Sequence, residues 1–145
     1  MTFASRFIGF GVGNVVNPLV GGTYGDLSVD PTNCSCGLRF NVDGSIDILR
    51  TSLGNLLGAQ KWFNPSGGSP GNNYWVRCTL TSGTVSGGSA ATGSWLALSS
   101  SRLWQKTTTA VGLVEFTATI EIATDSGGTN IVSSGSFTIQ AERGV

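Results

Sequence analysis

Short runs in which apolar and polar residues alternate one by one fill most of the last two-thirds of the chain. The clearest run covers residues 114–122, where Val114 and Phe116 alternate with Glu115 and Thr117. A period of two places every second side chain on the same face of a strand, so that one face is buried and the other meets water. We count about seven or eight such strands with turn signals between them, which predicts an all-β chain folded as an antiparallel β-sandwich.

Two local elements follow from the residues between these runs. Asp43 and Gly44 separate an alternating run at 38–42 from a second one at 45–48. Asp-Gly in that position is a strong hairpin signal, because a tight two-residue turn needs positive φ at both positions. Residues 52–62 instead carry leucines at helical spacing, interrupted by glycine, and we expect at most one or two helical turns there.

The first 36 residues lack this alternation. They contain repeated glycines, two prolines and scattered apolar residues, and glycine raises the entropic cost of ordering a chain. We therefore predict an extended, Gly-rich N-terminal arm at 1–36, which lies on the domain or on a neighbouring subunit and makes assembly contacts. The β-sandwich domain occupies 37–145. We predict that a chain without residues 1–36 still folds but no longer assembles.

The candidate assembly or binding residues are apolar side chains of the arm and two tryptophans. They are Phe7, Phe10, Val12, Val15, Val16, Leu19, Trp62 and Trp75.

The tryptophans are predicted to lie in two kinds of environment, the outer face of a sheet and the core. Trp75 is opposite in phase to Val76 and Cys78, which predicts that its indole lies on the outer face of a sheet. There it would stack on a sugar or lie in a subunit interface, and packing against the arm or a loop is an equal alternative. Trp95 and Trp104 are predicted to anchor the core.

Composition argues against catalysis and nucleic-acid binding. The chain has no histidine, and eight Lys and Arg balance eight Asp and Glu, so its net charge is zero. Binding to phosphates needs clustered cations, and the commonest catalytic base and metal ligand is missing. We therefore predict no enzyme activity, no cofactor, no metal and no nucleic-acid partner. A neutral surface favours assembly, because it removes the repulsion between copies.

The cysteines and the hydrophobic runs argue against a metal site, a disulfide framework, a membrane span and a signal peptide. Cys34 and Cys36 form a C-x-C without a second cluster, and Cys78 is distant, which is a poor zinc or disulfide framework. Reduced thiols with Cys78 in the core are the simplest interpretation, and a disulfide between Cys78 and one of the pair stays open. No run reaches the roughly 18 apolar residues of a membrane span, so we expect no membrane insertion. Glycine interrupts residues 7–16, which are a poor signal peptide.

Four stretches of the chain resemble small structural proteins of tailed bacteriophages. They are GLRFNVDGS at 37–45, YWVRCTLTSG at 74–83, GSWLALSSSRLW at 93–104 and IVSSGSFTIQA at 131–141. In such proteins an R-F-N-x-D-G hairpin precedes a W-x-x-L-S-x-x-R-x-W stretch, and an A-x-G-x-x-x-L-x-A-like strand closes the chain. Here Ser134 replaces the small residue of that strand and Ile139 replaces its leucine. The resemblance covers about residues 37–143 and implies an immunoglobulin-like sandwich, or a jelly-roll-like one, without catalytic residues.

The resemblance also implies a function. It indicates a non-enzymatic structural protein of a tailed phage virion, assembled in the host bacterial cytoplasm and associated with the tail as a fibre, tip or baseplate component. Its partners would be further copies of itself and other virion proteins. A capsid decoration or cement protein on the head is the second hypothesis. A module that binds a host receptor or glycan, through its tryptophans and the loops at 64–73 and 82–93, is the third.

Overall fold

The computed structural model describes residues 15–31, 34–50, 55–64, 69–82, 93–108 and 110–144. All regular structure in these ranges is β, in eleven strands, and none of it is helical. The prediction of an all-β chain is confirmed. The strands form two large sheets and one short pair.

The larger sheet has five strands. In spatial order it contains β2 (Gly22–Asp30), β11 (Ile131–Arg143), β10 (Gly112–Ala123), β7 (Gly71–Ser82) and β8 (Leu96–Leu98). All neighbours are antiparallel except β2 and β11, which run parallel to each other. Parallel neighbours need a long connection, and here nearly the whole chain separates the two strands.

The second sheet has four antiparallel strands. In spatial order it contains β5 (Asn55–Lys61), β4 (Ser45–Arg50), β3 (Cys34–Phe40) and β9 (Arg102–Thr108). A separate short pair joins β1 (Val15–Val16) to β6 (Phe63–Asn64).

One hydrophobic core lies between the inner faces of the two sheets. On β10 the buried side chains are those at alternate positions, as the alternation at 114–122 predicts. Leu38 and Phe40 of β3 face the same core and are fully buried. The Cys36 thiol of β3 donates to the Ile139 carbonyl of β11 at 3.4 Å, so the sheets are in direct contact.

The predicted hairpin is confirmed, with a different turn geometry. The Gly44 amide donates to the Asn41 carbonyl at 3.1 Å, and the Asn41 amide donates to the Ser45 carbonyl at 2.9 Å. Asp43 and Gly44 are therefore the third and fourth turn residues, not the two central ones. Gly44 has a φ of 85°, a conformation in which a side chain costs free energy.

The helical turn expected at 52–62 is wrong over the described part of that range, because residues 55–61 form strand β5. A Cβ on Gly58 would lie 3.2 Å from the Tyr24 ring. Strand β5 therefore packs beneath an aromatic ring of β2, and this tertiary contact outweighs the local spacing of its leucines.

The predicted division of the chain at residue 36 falls inside β3. Cys34 and Cys36 are fully buried in the core, and residues 22–30 form the β2 edge of the five-stranded sheet. Deletion of residues 1–36 would remove both features. The expectation that such a chain folds therefore does not follow from this structure, and residues 1–14 are the better segment to delete.

Candidate binding surfaces

Residues 15–30, which we call the lateral segment, close one side of the space between the two sheets. The Val20 amide donates to Oε1 of Gln60 at 2.9 Å, and Nε2 of Gln60 donates back to the Val20 carbonyl at 2.7 Å. The Leu19 amide donates to Oγ of Ser133 at 2.9 Å. Gln60 belongs to β5 and Ser133 to β11, so the lateral segment connects both sheets.

A buried arginine fixes the middle of the lateral segment. The Arg50 guanidinium is fully buried and donates to Asp26 at 2.5 Å and to the hydroxyl and carbonyl of Ser28, both at 2.9 Å. The hydrogen bonds from Ser28 hold the pKa of Asp26 below its usual range. Burial opposes the charge of Arg50, but its hydrogen bond to Asp26 keeps its pKa above the ordinary value. Arg50 thus donates to one backbone carbonyl of β2, which is an edge strand of its sheet.

Five aromatic side chains form a cluster at the end of the core next to β6. They are Phe40, Trp62, Phe63, Tyr74 and Trp104. The rings of Phe63 and Tyr74 lie 5.0 Å apart in a T-shaped arrangement. Trp62 is completely buried among them. This placement corrects its prediction as a contact residue, because the folded chain exposes none of its surface to a partner.

The outer face of the five-stranded sheet carries an aromatic and charged area, which we call the tryptophan–arginine surface (Trp75, Arg77, Trp95 and Glu121). The Arg77 guanidinium lies 4.5 Å from the centre of the Trp95 ring and 2.7 Å from the Glu121 carboxylate. Trp95 is only half-buried, so its prediction as a core anchor is wrong, whereas Trp104 is fully buried as predicted.

Trp75 lies on this outer face, as its phase predicts. Val76 and Cys78 are fully buried, and Trp75 is partly exposed. The strand register places Trp75 between Ala97 and Ala123. Both neighbours are small, so the cross-strand positions beside this indole carry no bulky side chain.

A hydrogen-bonded turn supports the tryptophan–arginine surface from one side. The Asp125 carboxylate accepts from the Thr129 amide and hydroxyl at 2.9 and 2.6 Å and from the Asn130 amide at 2.8 Å. These bonds lower the pKa of Asp125 to about 2. The turn holds Gly128 against the Trp95 indole, where a Cβ would collide with the ring.

At the far end of the same face, apolar side chains are exposed. The register aligns Leu113, Glu142 and Val29 side by side across β10, β11 and β2, and we call these three residues the apolar row. Leu113 is 57% exposed and Val29 is 64% exposed. Leu27 of β2 and Val111, which directly precedes β10, are also more than half exposed. Exposed apolar side chains that lie close together mark interaction sites.

The thiols show no sign of reactivity. Burial raises the pKa values of Cys36 and Cys78 to about 12, whereas reactive thiols have lowered ones. All three cysteines are buried, and none is in a disulfide. The described ranges contain no group of three or more potential metal ligands. They also contain no helix that is long and apolar enough to cross a membrane.

The predicted contact residues lie in different parts of the structure and do not form one surface. Phe7, Phe10 and Val12 lie outside the described residues. The backbone of Val15 pairs with Asn64, Val16 packs partly buried against the core, and Leu19 is 7% exposed. Trp75 is thus the one predicted contact residue of the described ranges whose side chain lies on the outer face of a large sheet. Sequence reasoning missed the apolar row, because its members come from three strands whose register no local signal reveals.

Comparison of the chain with protein-family models, with curated proteins and with solved structures finds no match in any of the three.

Proposed function

We propose that the chain is a non-enzymatic structural protein of a tailed phage virion that assembles through residues 1–14 and the exposed faces of its sheets. The observation that carries the assembly role is the apolar row, in which Leu113 and Val29 are exposed on a chain of zero net charge. The resemblance of residues 37–143 to phage structural proteins supports the virion, and a place on the tail ahead of one on the head.

We also propose that the two sheets form an immunoglobulin-like β-sandwich. The strand order supports this proposal. β3 pairs with β9 in one sheet, and β7, β10 and β11 are neighbours in the other, as strands B and E and strands C, F and G are in an immunoglobulin domain. The β4–β5 hairpin then occupies the sheet position beside strand B that strand A has in that fold.

The direct test is immunogold electron microscopy of intact particles of the phage that encodes the chain, with antibody raised against the whole folded protein. Label on the tail or its tip is expected. Label spread over the head would replace the tail role with that of a capsid decoration protein. Absence of label, with the antibody binding the folded chain in a parallel assay and the chain missing from dissociated particles, would refute the virion proposal.

The tryptophan–arginine surface favours a second candidate function, recognition of a glycan on the host surface. Aromatic rings stack on sugars, and planar charged side chains hydrogen-bond to their hydroxyls. Trp75 is partly exposed between small neighbours, next to the Arg77–Glu121 pair. Binding of the full chain to host cells that Trp75→Ala abolishes and Leu56→Ala preserves would support this role. Leu56 is a fitting control because it is exposed on the other sheet.

A further inference from the structure

We propose that residues 6–12 of one copy pack onto the apolar row of a second copy, so that the chain assembles head to tail. This inference rests on the proposed assembly role and names the partner and the surface. Neighbouring strands are about 4.8 Å apart, so Val29 and Leu113, on either side of Glu142, are roughly 10 Å apart. The two apolar side chains thus form a short hydrophobic strip with one carboxylate in its middle.

The row is a fixed surface. A Cβ on Gly144 would collide with the Val29 side chain, which therefore rests directly on the backbone of residue 144. The Gly144 amide in turn donates to the Asp30 carbonyl at 2.8 Å. Among the described residues no ion pair neutralises Glu142, although five other carboxylates of this structure lie within 4.0 Å of a cation. Leu113 and Val29 are exposed on either side of the Glu142 carboxylate. A partner that carries both a cation and apolar side chains would complement this surface.

Residues 6–12 have the matching chemistry. Ile8, Phe10 and Val12 alternate with glycines, and Arg6 is the only charged side chain in residues 1–14. In an extended segment these four side chains share one face, and glycines leave much of the other face bare. Ile8 and Val12 would be roughly 13 Å apart, similar to the length of the row. Arg6 supplies the charge opposite to that of Glu142.

The positions of Val16 and Leu19 favour a second copy as the partner. Val16 pairs with Phe63, and the Leu19 amide bonds to Ser133, so this part of the chain lies at the end of the molecule where β11 begins. The apolar row lies at the other end of β11, roughly 30 Å from Ser133 at the rise of a strand. Seven residues from Ile8 to Val15 span at most about 25 Å. The stretch from Ile8 to Val15 is thus shorter than the distance from Ser133 to the row, which favours the row of a second copy over that of its own chain.

This geometry is heterologous, since each copy offers a segment at one end and a row at the other. Such interfaces form closed rings or open filaments rather than two-fold dimers. A chain with a defective segment keeps its row, and a chain with a defective row keeps its segment. Mixed together, two such chains have one productive interface and form a pair that cannot grow.

The experiment uses full-length chains in sedimentation velocity at concentrations up to about 100 μM. Wild type is expected to form oligomers that grow with concentration. Phe10→Ser and Leu113→Gln should each weaken association about ten- to hundredfold, the loss of one buried apolar side chain. An equimolar mixture of these two variants should give heterodimers only. Leu56→Gln is the matched control, because Leu56 is 55% exposed and lies outside the row.

Charge reversal tests the same contact independently. Arg6→Glu and Glu142→Arg should each weaken association, and the chain carrying both should recover it. Urea midpoints equal to that of wild type show that every variant is folded.

Four results would overturn the inference. They are a wild type that stays monomeric, equal effects of Leu113→Gln and Leu56→Gln, mixed variants that do not pair, and a double charge reversal without recovery.

Immunogold labelling distinguishes failure of the head-to-tail contact from failure of the virion role. Particles that carry the Leu113→Gln chain at wild-type amounts would leave the virion role standing without this contact. If the chain pairs head to tail but no particle contains it, the contact would stand and the virion role would be refuted.

Discussion

Gly128→Ala tests whether the turn after β10 supports the tryptophan–arginine surface as described. Gly128 has a φ of 71°, and an L-residue in this left-handed region costs about 1–2 kcal/mol. The new Cβ would also collide with the Trp95 indole. The ring would have to move away from Arg77, which removes a cation–π contact worth about 0.5–1 kcal/mol. We therefore expect a loss of about 2 kcal/mol in the free energy of unfolding.

The assay is urea unfolding followed by tryptophan fluorescence. With a slope of about 2 kcal/mol per molar urea, the midpoint should fall by about 1 M. Gly127→Ala is the matched control, because its Cβ would meet only Oδ2 of Asp125, at an ordinary 3.5 Å. Cross-peaks of Arg77 and the Trp95 indole in NMR spectra should shift in Gly128→Ala alone. If the two alanine variants unfold within about 0.5 kcal/mol of each other, the described packing of Trp95 on this turn is refuted.

Three further predictions concern the core, the pH dependence and the thiols. Phe116→Ala should lower the free energy of unfolding by about 3–5 kcal/mol, because it opens a cavity at a buried core position; a loss below about 1 kcal/mol in urea would contradict this. Asp125 has a pKa of about 2, so its stabilisation is complete above its unfolded pKa of about 3.9 and is lost as the pH falls towards 2. The melting temperature should therefore drop less between about pH 5 and pH 2.5 in Asp125→Asn than in wild type, and equal drops would refute the assignment. Because burial raises the pKa values of Cys36 and Cys78 to about 12, a disulfide reagent at neutral pH should label all three cysteines only in denaturant, and rapid labelling of the native chain would contradict the burial.

Local sequence signals predicted most of the two sheets. The alternation at 114–122 identified β10 and its buried face, because one face of that strand is core and the other meets water. The hairpin at Asp43 and Gly44 was found because glycine at a turn has a direct conformational cause. Trp75 was assigned to the correct face from its phase against Val76, a relation that needs no knowledge of the neighbouring strands.

The features that were not predicted from the sequence depend on contacts between distant parts of the chain. Residues 55–61 have leucines at helical spacing, but Gly58 lies under the Tyr24 ring of β2 and the segment is a strand. β2 was assigned to an arm because its glycines and exposed side chains carry no alternation, while its place is fixed by β11 and by buried Arg50. The apolar row was missed for the same reason, since Leu113, Glu142 and Val29 become neighbours only through the register of three strands.

The parallel pairing of β2 with β11 has a consequence for the time at which the five-stranded sheet becomes complete. Leu19 and its partner Ser133 are 114 residues apart, and a ribosome adding about 5–20 residues per second needs roughly ten seconds to make the stretch between them. During that time β2 has no β11 to pair with. Contacts between residues so distant in sequence are typical of slow folding. The apolar row does not exist until β11 has been synthesised, because β11 supplies its middle member. A chain that lacks β11 therefore cannot offer this surface for the head-to-tail contact proposed above.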